Sequence, residues 1–187
     1  IHSRTMTNKE AEQILTDRLK AVVEKSELFT RVDPGVLELV LKDGRFKNQH
    51  ETGTSLGLLD PEFRKNFELE AFGVSKKTPD AEKPYYGYVH DHPDGKGAGA
   101  EVDQYGLVAV KFKKNIRERS TITTEDSLEG DTVAVPLQNP NWRALGSWRL
   151  GKLQLEGVME AKSVKDVAEK YIEAQIHGGL KTSDIEE

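Results

Sequence analysis

The chain has 187 residues with 27 basic against 32 acidic side chains, a formal net charge of -5, and no cysteine. Its 36% hydrophobic and 32% charged composition is that of a soluble globular protein, long enough for one domain with a sizeable core. The numbers exclude an integral membrane protein, since no apolar run nears ~20 residues, disfavour a general nucleic-acid binder, and rule out disulfides, thiolate metal sites and a cysteine nucleophile.

The opening, Ile1-His2-Ser3-Arg4, has neither an initiator Met nor an apolar signal core, so the chain reads as a piece of something longer, with one domain over 1–187. Thr7 to Glu10 is a capping box that starts a helix through about Glu24, with Ile14, Leu15, Leu19, Val22 and Val23 on one stripe. Asp33-Pro34 starts a second helix, which Gly44 stops. Two helices are thus expected before any strand. Arg45 to Ser55 reads as a strand turning into a polar loop, and Asp60-Pro61 opens a helix ended by Gly73. Strands are expected at Tyr85–Val89, Tyr105–Phe112, Arg119–Thr124, Thr132–Val135 and Leu153–Met159, with a helix capped by Ser163 before the last strand. Helices early and strands late, without βαβ alternation, predict an α+β domain with antiparallel pairing.

That last strand, Tyr171 to His177, places Ile172, Ala174 and Ile176 on one face and Tyr171, Glu173, Gln175 and His177 on the other. An edge strand with a solvated polar face and a catalytic strand both fit this pattern. Three apolar side chains on one side need a partner layer, so the strand is expected to be covered.

Other constellations carry less chemistry. His90-Asp91-His92 with Asp94 offers metal-ligand types but sits in a glycine-diluted stretch read as a surface loop, so no metal site is expected. Gly95-Lys96-Gly97-Ala98-Gly99 lacks the Gly-Lys-Ser/Thr ending of a phosphate loop. The basic run Lys111, Lys113, Lys114, Arg117 and Arg119 reads as a solvated strand end. No Gly-x-Ser-x-Gly elbow is present.

Several blocks occur together in one order: Gly44-Arg45-Phe46-Lys47, Gln49 with Glu51-Thr52-Gly53-Thr54-Ser55, Tyr86-Gly87, Arg119-Ser120-Thr121, Asp126-Ser127-Leu128 and Glu173-Ala174-Gln175-Ile176-His177-Gly178-Gly179. Through these the chain resembles the C-terminal domains of certain phage minor head proteins, which look like mono-ADP-ribosyltransferases. The resemblance implies N-terminal helices followed by a split antiparallel β-sandwich of ADP-ribosyltransferase type, and NAD as substrate. It implies that Arg45 holds NAD phosphate, that Ser120 and Thr121 shape the nicotinamide pocket, and that Gln49, Tyr86 and Gly87 belong to the cofactor-binding set. Glu173 would be the catalytic carboxylate, with Gln175 beside it.

The order Glu173-Ala174-Gln175 departs from the Gln-x-Glu of such transferases, whose second position is catalytic. Either the register is shifted by two, which keeps the strand face, or activity is lost. Two functions therefore stand: transfer of ADP-ribose from NAD to a host macromolecule, expected to be a protein, or a non-enzymatic structural or interaction domain contacting phage head components. Both imply a virion-associated protein or one delivered into the host cytoplasm.

Overall fold

A computed structural model describes residues 6–52, 61–92, 100–128, 133–146, 149–168 and 170–187. The fold is α+β. Helix α1 (Asn8–Glu24) begins on the expected capping box: Thr7 Oγ1 accepts from the Glu10 amide, and the Glu10 carboxylate accepts from the Thr7 amide. Its stripe of Leu15, Leu19, Val22 and Val23 is buried.

Strand β1 (Glu27–Val32) follows at once, so among the described residues one helix, not two, precedes the first strand. Leu28 to Val32 are buried without interruption, because the strand lies inside the sheet and both its faces are covered. Such a strand has no alternation of polar and apolar side chains to announce it. Helix α2 (Pro34–Asp43) ends at Gly44 in the left-handed conformation, and β2 (Arg45–Phe46) and the short α3 (Gln49–Thr52) come next. Helix α4 (Pro61–Phe72) leads to β3 (Tyr85–His90), α5 (Ala100–Asp103), β4 (Val108–Lys111) and β5 (Ser120–Thr123). The chain then passes through β6 (Val135–Pro136), α6 (Lys152–Met159), α7 (Val164–Val167), β7 (Ile172–Ile176) and β8 (Leu180–Lys181).

Leu153–Met159 is therefore helical, not extended. Leu155, Val158 and Met159 recur at three- and four-residue spacing and turn toward the core together. The basic run is likewise not all strand, since Lys114–Arg119 forms a 3-10 helix. His90 is the buried last residue of β3, not part of a surface loop, and its Nδ1 accepts from the His92 amide at 2.8 Å. Among the described residues no group of three or more His, Cys, Asp or Glu could hold a metal ion. Asp94, the glycine-rich run from Gly95 to Gly99, Gly53 to Ser55 and the first four residues lie outside the described residues.

Among the described residues six strands form one antiparallel sheet in the order β4-β1-β3-β7-β5-β6, and β2 pairs with β8 in a second, two-stranded sheet. Ile172, Ala174 and Ile176 are fully buried in a main core that includes Leu19, Val22, Val89, Ile122, Val158 and Val167. A smaller cluster on the other face joins Phe29, Tyr88, Val102 and Tyr171, with the Phe29 and Tyr88 rings stacked at 5.6 Å. Gly178 and Gly179, both at positive φ, turn the chain from β7 into β8. No helix of the described residues is long and apolar enough to cross a membrane.

Candidate functional site

The register decides which side chains meet. On β7, Glu173 stands between Tyr88 of β3 and Thr123 of β5, and Gln175 between Tyr86 and Thr121. Directly opposed residues of antiparallel strands share a face. The polar face of β7 is consequently not solvated: it lies mid-sheet, with Glu173 5% exposed and Gln175 fully buried.

Burial obliges these groups to find partners. Gln175 Nε2 donates to Glu173 Oε1 at 2.8 Å, and the Ser127 hydroxyl donates to the same oxygen at 2.5 Å. The Ser127 amide reaches Glu173 Oε2 at 3.3 Å. On the other side, Thr121 Oγ1 donates to Gln175 Oε1 at 2.8 Å and lies 3.0 Å from His177 Nε2. With its one proton on Gln175, Thr121 accepts from His177, so a directed chain runs His177 to Thr121 to Gln175 to Glu173. It fixes the Gln175 amide with its nitrogen toward the carboxylate.

Burial is the first cause that pushes the Glu173 carboxyl from its ordinary 4.5 up to about 7, with Asp126 adding to it, while the bonds from Ser127 and Gln175 pull the other way. His177 is shifted down, by burial and then by Arg119. A second buried carboxylate faces this group from α4: Glu68 Oε1 accepts from the Tyr86 hydroxyl at 2.8 Å, and its Oε2 lies 2.7 Å from His50 Nε2.

The residues picked out from sequence fall into three groups. Glu173, Gln175, Thr121 and Tyr86 are brought together on one sheet face. Ser120 and Gly87 belong to the same strands but to the opposite face: Ser120 donates to the Ile116 carbonyl, and a Cβ on Gly87 would stand 2.5 Å from the Phe29 carbonyl oxygen. Gly87 thus serves the close approach of β1 to β3. Arg45 and Gln49 lie on β2 and α3, where the Arg45 guanidinium forms a two-pronged pair with Glu51 and the Gln49 Oε1 is buried with no hydrogen-bond partner among the described residues.

Comparison with known proteins gives a phage context. No protein-family model matches the chain. It is similar to the "Gene 2 protein" of Mycobacterium phage L5, 26% identical over an alignment 186 residues long, which covers 91% of this chain and 66% of that protein. It is also similar to the "Gene 2 protein" of Mycobacterium phage D29, 28% identical over an alignment 186 residues long, which covers 93% of this chain and 67% of that protein. The chain spans about two thirds of the length of these relatives.

Sequence reasoning did not assign Ser127, Thr123, Glu68, Arg64 or His50 a role. Ser127 lies 46 positions from Glu173 and Glu68 lies 18 from Tyr86, and no local spacing rule spans such gaps. Ser127 had one signal, its place in an ordered block of the phage-domain resemblance. Glu68 had none.

Proposed function

We propose that this domain is an ADP-ribosyltransferase of the split β-sandwich type, which transfers ADP-ribose from NAD to a host protein. The observation that carries the reading is the buried, threefold hydrogen-bonded Glu173 on the central strand. Breaking the bond between nicotinamide and ribose builds positive charge on the sugar, and a fixed carboxylate in a dry site lowers that barrier more than one in water. A carboxyl poised near 7 is largely ready to ionise when a cationic pyridinium comes beside it. Gln175 then holds the carboxylate through its amide and need not itself carry charge, which accommodates the Glu-x-Gln order. Arg45, on the small sheet, suits the NAD phosphates through its planar fork.

A second reading, a non-enzymatic domain that contacts phage head components, draws support from one feature. Arg45 is already paired with Glu51 and Glu173 is already held by Ser127 and Gln175, as in a purely structural network. Incubating the protein with labelled NAD and host lysate separates the two. Label on a host protein, lost in Glu173→Gln, supports transfer; no label and no NAD binding by the intact chain leaves the interaction domain.

A further inference from the structure

Glu68 is 1% exposed, yet it is a carboxylate on a helix. It gathers groups from three elements: the Tyr86 hydroxyl of β3 at 2.8 Å, His50 Nε2 of α3 at 2.7 Å, and the Arg64 guanidinium of α4 at 3.9 Å. The His50 and Arg64 side chains are also nearly inaccessible, at 2% and 6%. Arg64 lies over the Tyr86 ring, 5.4 Å from its centroid, and Phe72 of the same helix stands 6.4 Å from both Tyr86 and His177.

Stability alone is a poor reason for this arrangement, because apolar residues of similar volume commonly serve as well as a buried ionic cluster. Location is a better one. Tyr86 is the register partner of Gln175, which holds Glu173. His50 adjoins Glu51, which holds Arg45. One carboxylate therefore joins the strand face to the segment that carries Arg45.

We infer that Glu68 is a positioning residue for NAD: through Tyr86 and His50 it sets the Glu173 end of the site against the Arg45 end. This rests on the transferase reading. Because Glu68 touches neither end directly, its loss loosens the match between them and acts on binding more than on the chemical step.

The test uses Glu68→Gln, which keeps shape but removes charge, and Tyr86→Phe, which removes only the hydroxyl. NAD affinity is measured by calorimetry on the 187-residue chain, alongside steady-state kinetics and thermal melting. Each variant is expected to weaken NAD binding and raise KM about tenfold or more, the scale of one lost charge-assisted hydrogen bond, with kcat within about twofold. Since Glu68 acts partly through Tyr86, the double variant should lose less than the product of the two single losses. His50→Gln, which alters the other partner of Glu68 and lies outside the cofactor-binding set, keeps the test open should Glu68→Gln fail to fold. If the wild type binds NAD and the folded variants bind it equally well, or lose kcat with KM unchanged, the positioning role is overturned while the transferase reading stands. A wild type that binds no NAD overturns both.

Discussion

At Glu173, geometry and charge make separable predictions. Under the proposed transferase function, Glu173→Gln preserves the shape of the side chain but removes the charge that would face the ribose cation, so turnover should fall on the order of 100-fold or more with NAD binding retained. The same substitution reports on stability. A carboxyl at 4.5 when unfolded and about 7 when folded keeps its proton longer in the native state. Between those values the native state binds more protons, so wild-type stability declines as pH rises through that window. Urea titrations at pH 4 and pH 8 should find Glu173→Gln gaining on wild type at the higher pH, by on the order of 3 kcal/mol at most. Ser127→Ala offers an independent check: it deletes a donor that holds the Glu173 charge, so the carboxyl should titrate still higher, as carbon-13 NMR of the side chain would record.

Among the elements, β3 is the most exacting, because it pairs with β1 on one side and β7 on the other. A methyl on Gly87 would press on the Phe29 carbonyl at 2.5 Å, and a backbone atom of the neighbouring strand cannot step aside. Gly87→Ala is expected to cost roughly 2 kcal/mol or more, visible as a lower urea midpoint. The helices that announce themselves locally, α1 through its capping box and α2 through Asp33-Pro34 and Gly44, were legible in the sequence. So was the covered state of β7, because Ile172, Ala174 and Ile176 demanded a partner layer and are fully buried. β1 was not legible, since burial on both faces removes the alternation that marks a strand. Leu153–Met159 was misread as a strand because a seven-residue window fits two periods, and only packing against α1 and α7 separates them. Of the site, the row Glu173, Gln175 and His177 could be read from alternation. Which strands flank it could not, because pairing with β3 and β5 is a long-range choice that leaves no local trace.

For the molecule as a whole, the place of β7 sets what the sheet needs in order to close. Its neighbours β3 and β5 lie far earlier in the chain and each pairs with β7 on one of its edges. Without residues 172–176 the sheet order divides into two ribbons, β4-β1-β3 and β5-β6, each with an open edge where β7 belongs. Unpaired edges of this kind invite association with other chains, and closing the sheet from such sequence separations is slow. A chain cut after Lys170 should therefore fail to reach a cooperative fold, seen as a broad, shallow melt in circular dichroism. A synthetic peptide of residues 171–187 added in trans should restore the sharp transition by supplying the missing middle. Completion of the sheet and completion of the Glu173 site would then be a single event, because the strand that closes the one carries the carboxylate of the other.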